Sequence, residues 1–205
     1  MSGIEVDRTA LLLIDLQNDF VHPQGAYSRG GVAAASISVL PARLVPVVEA
    51  ARSSSVPVVS TLFTLVPGPD GPLISDHLRD LRPFLASGDF APGSWGQQLL
   101  EELAPADVTV EKVAYSAFHA SRLAFVLDRL AVTSLLVAGI VTNGGVESTV
   151  RAAHVLDIDT IVIADGCAAF TDDAHEAALA SMATVGEVTS CAAVIDALQA
   201  ARVRS

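Results

Sequence analysis

The sequence predicts an α/β domain of three layers, α/β/α, around a central, mostly parallel sheet. Three observations carry this. Short apolar runs alternate with segments of helical periodicity along nearly the whole chain. The runs are continuously apolar, as in strands buried on both faces. Strand–helix alternation with right-handed crossovers then places helices on both sides of one sheet.

Each element follows from its own pattern. Residues 10–14 form a first strand, which polar Asp15 ends. Residues 37–52 place Leu40, Leu44, Val47, Val48 and Ala51 on one helical face, while Pro41 and Pro46 predict a kink or a late start. Residues 56–62 are a second strand, with Pro57 tolerable only at its beginning. Residues 108–113 are a third. Residues 121–130 are helical through Leu123, Val126, Leu127 and Leu130, and residues 135–140 are an uninterrupted apolar strand. A helix over 146–156 and a strand over 160–164 follow. Residues 172–184 are a helix capped by Thr171 or Asp172, 187–190 a short strand, and 192–201 a last helix.

The 205 residues suit one domain, and no repeat, low-complexity tract or charged linker divides them. Residues 64–96 stand apart, with Pro67, Pro69, Pro72, Pro83 and Pro92 among five glycines. A long irregular excursion in a compact domain is usually a lid or an interface arm. Its apolar residues Leu73, Ile74, Leu78, Leu81, Phe84, Leu85, Phe90 and Trp95 predict cover from a second copy, hence a homo-oligomer.

Composition excludes several classes. A formal net charge of −11 without a basic run argues against nucleic acid and anionic membrane surfaces as partners. The apolar runs are far shorter than the roughly 20 residues that span a bilayer. Residues 1–7 lack the pattern of a secretory signal, and Cys167 and Cys191 make neither a disulfide framework nor a metal-ligand spacing. The expected compartment is the cytoplasm. His22, His77, His119, His154 and His175 show no metal spacing. No cofactor and no metal are expected.

In open α/β sheets ligands bind beyond the carboxyl ends of the strands. Three clusters fall there: Asp15-Leu16-Gln17-Asn18-Asp19-Phe20, Glu111-Lys112-Val113, and Gly139-Ile140-Val141-Thr142-Asn143-Gly144-Gly145. If their strands are neighbours, they bring together a carboxylate, an ammonium and a helix N-terminus whose free N–H groups hold an oxyanion. Singly, each has a plainer role. Asp15 caps a turn, Lys112 pairs at the surface with Glu111, and Gly144-Gly145 allows close helix–sheet packing. The glycines lack the Gly-x-Gly-x-x-Gly and Gly-Lys-Ser/Thr patterns of nucleotide sites.

Taken in order, these segments resemble the isochorismatase-like hydrolases, also called the cysteine hydrolase superfamily. The resemblance rests on Asp15-Leu16-Gln17-Asn18-Asp19-Phe20-Val21-His22-Pro23, Val56-Pro57-Val58-Val59, Pro92-Gly93-Ser94-Trp95-Gly96, Glu111-Lys112-Val113-Ala114-Tyr115-Ser116-Ala117-Phe118, the turn from Gly139 to Thr149, and Asp165-Gly166-Cys167-Ala168-Ala169. It implies the catalytic roles of the family's aspartate for Asp15 and of its lysine for Lys112. It also implies a cis peptide between Ile140 and Val141 that aims the N–H groups of Val141 and Gly145 at an oxyanion. Phe20, Phe63, Trp95, Tyr115, Phe118 and Asn143 would line the substrate.

The nucleophilic cysteine of most family members falls on Gly145. That departure removes the thiolate route to an acyl-enzyme. The isochorismatases look similar in lacking this cysteine. Their vinyl-ether cleavage needs only a general acid and water, roles that would fall to Asp15 and a water molecule. Lys112 would hold the geometry, bind a substrate carboxylate, or both. Gly145 would leave room for a larger substrate. The glutamine that isochorismatases carry near the end of strand two is absent, and Phe63 stands in that region. The Asp-x-His-x-His set of metal-binding nicotinamidases is absent too. The resemblance therefore implies a cysteine-less hydrolase of a small carboxylate- or carbonyl-bearing metabolite. The alternatives are an amide or imine hydrolase with Asp-activated water and a non-catalytic small-molecule-binding homologue.

Overall fold

The computed structural model describes residues 4–202. The first three residues of the segment read for a secretory signal lie outside them. The elements run as β1 (Thr9–Ile14), the short turns α1 (Asn18–Val21), α2 (Ala26–Arg29) and α3 (Ala35–Ser38), then α4 (Leu40–Ser53) and β2 (Val58–Phe63). The excursion holds a two-residue ladder, β3 (Pro67–Gly68) with β4 (Gly71–Pro72), and α5 (Asp76–Leu81). Then come β5 (Val108–Lys112), α6 (Leu123–Arg129), β6 (Ser134–Ile140), a π-helical turn at Thr142–Val146, α7 (Glu147–Val155), β7 (Asp159–Ala168), α8 (Asp172–Met182), β8 (Glu187–Thr189) and α9 (Cys191–Arg202). Among the described residues no helix is long and apolar enough to cross a membrane.

The six-stranded sheet has the order β5-β2-β1-β6-β7-β8, and all its pairings are parallel. The chain winds outward in one direction through β1, β2 and β5, then in the other through β6, β7 and β8. The switch point thus lies between β1 and β6, where a crevice opens beyond the carboxyl ends. One core layer packs Leu11, Leu13, Leu44 and Leu198 on one face of the sheet. The other packs Leu12, Ile14, Leu123 and Val150 on the opposite face. Alternate residues of β1 serve opposite layers, which is why its whole run is apolar.

Element ends follow local chemistry. The late start expected for the first long helix is seen: α4 begins at Leu40, with Pro41 in the first turn, where its missing N–H leaves no helical bond unmade. Pro57 lies just before β2, and its carbonyl accepts from Leu11 N–H at 2.9 Å. Thr171 is the cap of α8, its side chain accepting from Ala174 N–H. One boundary differs from expectation. Residues 165–167 were expected beyond the fifth strand, but β7 runs on to Ala168. Its register against β6 jumps, with Val137 opposite Val162 and Gly139 opposite Cys167. A bulge absorbs the extra residues and keeps Cys167 inside the sheet.

The excursion is tied down mostly from within. Phe90 and Leu65 are buried against Ala26 and Tyr27, with Ile74, Phe84 and Leu85 packed around them. Asp19 holds this cluster by accepting from the N–H groups of Ala26 at 3.0 Å and Phe90 at 2.7 Å. Much of the apolar content that pointed to a partner is therefore covered by the chain itself, while Leu73, Leu81 and Trp95 are exposed.

Candidate active site

Asp15 begins where β1 runs out, in the left-handed region at φ 56°, a conformation that aspartate tolerates better than most residues. The turn swings its carboxylate over the sheet edge. Lys112 ends β5, two strands away. Strands are spaced about 4.8 Å apart, so roughly 10 Å separates the two backbones and only a long side chain crosses β2 between them. Lys112 does so: its Nζ lies 2.6 Å from Asp15 Oδ2. Both groups are buried, Lys112 at 2% exposure and Asp15 at 5%.

Sequence reasoning passed over the residue in the gap. Thr61 of β2 donates its hydroxyl to Asp15 Oδ1 at 3.2 Å. The polar pair Ser60-Thr61 inside a buried strand was the available signal. The ammonium is fully employed. Besides Asp15 it donates to the carbonyls of Ala114 at 2.9 Å and Tyr115 at 3.3 Å. Three N–H bonds meet three acceptors, so Lys112 orients Asp15 and binds nothing further without breaking one of these contacts. The Phe63 ring lies 5.7 Å from Nζ, close enough for a cation–π contact.

Burial dominates the protonation of Asp15 and raises its pKa above the ordinary 3.8; the charge and hydrogen bond of Lys112, then Thr61, oppose this without reversing it. The sign for stability follows. As pH rises above about 4 the unfolded carboxyl ionises while the folded one still holds its proton, so this group's contribution to stability is lost up to its folded pKa. Urea unfolding of wild type and Asp15→Asn from pH 4 to 8 should show the difference in stability, wild type minus variant, falling with pH. A difference that rises with pH would mean that the lysine outweighs burial.

The third cluster arrives from β6. The Ile140–Val141 peptide is cis, as the resemblance implied. Asp15, Lys112, Val141 and Gly145 line one cavity of about 380 Å³. Phe20, Phe63 and Tyr115 line it as well, joined by Tyr27, Arg82 and Phe170. Other candidates lie elsewhere. Trp95 packs edge-on against His22 on the outside, with ring centroids 4.9 Å apart. Phe118 packs against the core layer beneath α6, and Asn143 points from the turn to solvent. Tyr27 and Arg82 had gone unread because they sit on irregular segments without periodicity.

Gly145 differs from expectation in one respect. A Cβ built there would lie 2.8 Å from the carbonyl oxygen of Ile140 and 3.3 Å from Asp15 Oδ2. The room expected there for substrate is already occupied by the chain. Cys167 and Cys191 are both buried, and burial pushes each thiol up to about 12.

A doubly wound sheet with a buried carboxylate–ammonium pair at its switch point defines the class: a small α/β domain with an ionisable pair beyond the carboxyl ends of its strands. Residues 9–197 match the isochorismatase domain, and the chain belongs to that family. It is 33% identical to a ureidoacrylate amidohydrolase RutB of Methylobacterium radiotolerans, over 93% of this chain and 79% of that protein. A second RutB, from Pseudomonas syringae pv. syringae, is 32% identical over 86% of this chain and 77% of its own length. Among solved structures, a cysteine hydrolase from Pseudomonas syringae pv. phaseolicola superposes with a TM-score of 0.84 at 29% identity, over 98% of this chain and 97% of that one. The chain is an isochorismatase-family hydrolase.

Proposed function

We propose that this hydrolase cleaves a small carbonyl- or carboxylate-bearing metabolite without a covalent enzyme intermediate, with Asp15 as general acid and water as nucleophile. The observation that carries this is a buried Asp15, its pKa raised by burial, on the wall of a cavity in which Gly145 faces its carboxyl group and no thiol is exposed. On a vinyl ether, Asp15 gives its proton to the terminal enol carbon. The carbon bearing the ether oxygen becomes an oxocarbenium ion. Water adds to that carbon and returns a proton to Asp15. The hemiketal so formed then collapses to a ketone and an alcohol. Lys112 offsets the charge left on Asp15 after the first transfer.

A second reading is amide hydrolysis, favoured by the RutB relatives. There the Asp15 carboxylate takes a proton from water as it adds to the carbonyl carbon, and the N–H groups of Val141 and Gly145 hold the tetrahedral oxyanion; its collapse breaks the C–N bond while Asp15 gives the proton to the leaving nitrogen. Incubation with isochorismate, following pyruvate, and with ureidoacrylate, following ammonia, separates the two. Pyruvate release supports the acid mechanism; ammonia release alone sinks it.

In both readings the thiols are bystanders. Iodoacetamide should leave turnover within about twofold of untreated enzyme, because neither thiol forms appreciable thiolate at neutral pH. Gly145→Cys should gain a rapidly alkylated thiol beside Lys112. It should lose native activity and roughly 1–3 kcal/mol of stability, since its Cβ must displace the Ile140 carbonyl. Peptide mapping by mass spectrometry beside the assay checks both. Loss of wild-type activity in step with labelling of Cys167 or Cys191 would make one of them the nucleophile.

A further inference from the structure

Two cations line the active-site cavity, and they are not equivalent. Lys112 has its charge balanced by Asp15 and all three N–H bonds engaged. Arg82, from the turn that follows α5, donates Nε to the Tyr27 hydroxyl at 3.2 Å and Nη1 to the Leu81 carbonyl at 2.9 Å. Its Nη2 group has no hydrogen-bond partner among the described residues, and no carboxylate there lies within ion-pair distance. The guanidinium is half-buried and held in place by Tyr27, whose ring packs in turn against Phe84 and Phe170. An oriented fork with an unspent charge, lining both this mainly apolar and aromatic chamber and a neighbouring cavity of about 970 Å³, is a site built for an anion. Asp15 is the one carboxylate on that wall among the described residues.

We propose that Arg82 anchors the anionic head of the substrate through Nη2, which makes the substrate class a small monocarboxylate with an unsaturated or aromatic body. The body packs on Phe63, Tyr115 and Phe170, and the reacting bond faces Asp15. This rests on the reading of the cavity as the active site, and it adds a specificity-determining residue to that reading. Placing the carboxylate on Arg82 also keeps it off Lys112, so the Asp15–Lys112 contact survives substrate binding.

The test uses trans-cinnamate and trans-cinnamamide, a pair of nearly equal shape that differs in charge, titrated calorimetrically into the full chain. Wild type should bind cinnamate at least about tenfold more tightly than the amide. Arg82→Gln, which keeps a donor for Tyr27, should lose about tenfold for cinnamate and stay within twofold for the amide. Arg79→Gln, which removes an exposed charge from the same helix, should change neither. Equal affinity of wild type for the two probes, no binding of cinnamate, or an unchanged preference in Arg82→Gln would overturn the proposal. Asp15→Asn should keep the preference for cinnamate. In the Asp15→Asn variant neither proposed reaction can turn over the amide, so there failure of the acid mechanism would leave this result standing, and failure here would leave the acid mechanism to its own assay.

Discussion

Asp15→Asn should lower turnover by on the order of 10³-fold, within the range that a positioned general acid or base contributes. The change keeps size and keeps an oxygen for Lys112, but it removes the carboxyl group's capacity to give a proton in one proposed mechanism and to take one in the other. The amide oxygen still accepts from Nζ, so the ammonium keeps this hydrogen bond but loses its counter-charge, and the chain should stay folded at a cost in stability. Lys112→Met tests the other half of the pair and should behave differently. With the lysine gone, Asp15 is left buried without its counter-charge, and its pKa, already raised by burial, climbs further. The carboxyl can then stay neutral, so this variant should fold. Its carboxylate would be poorly stabilised after proton transfer, so its turnover should fall as well. Circular dichroism confirms folding, and single-turnover assays on an active substrate measure the chemical step. Retention of more than a tenth of wild-type turnover in Asp15→Asn would remove Asp15 from the chemistry.

Much of this was legible in the sequence, for identifiable reasons. Continuous apolar runs mark strands buried on two faces, so the layer architecture was readable before any coordinates. Asp15 and Lys112 were readable as polar residues ending such runs. The sheet order was not, because sequence spacing does not say that β2 separates β1 from β5. Thr61, the residue in that gap, was missed for this reason. Trp95 and Phe118 were placed by their nearness to motif residues. In the fold neither lines the cavity: the Trp95 ring packs edge-on against His22, and Phe118 packs against a core layer. Arg82 and Tyr27 meet only because Phe20, Phe63 and Phe90 fold the excursion back over the first loop. No local pattern encodes that meeting. Residue-level spacing located the carboxylate–ammonium pair, and tertiary packing alone assembled the wall that faces it.

Gly139→Ala should be severely damaging for a single added methyl group. Gly139 pairs with Ile14 on one side and Cys167 on the other, at the point where the β6–β7 register slips. Its φ is +131°, which an L side chain rarely adopts, and a Cβ there would fall 2.1 Å from the Ile14 carbonyl oxygen and 2.7 Å from the Ile14 nitrogen. Those are backbone atoms in a central strand, so no rotamer change relieves the clash. β1 must separate from β6 at the residue before Asp15. The cost should exceed about 4 kcal/mol, and the melting temperature should fall by on the order of 10 °C, as expected for a domain of this size. Gly31→Ala isolates the backbone part. Gly31 also has a positive φ, 71°, but a Cβ there meets nothing within 4 Å. It should cost only the 1–2 kcal/mol or so of a left-handed residue. Thermal melts of the two variants beside wild type decide the matter. If Gly139→Ala melts no lower than Gly31→Ala, the close approach of β1 and β6 is not what holds the Asp15 turn in place.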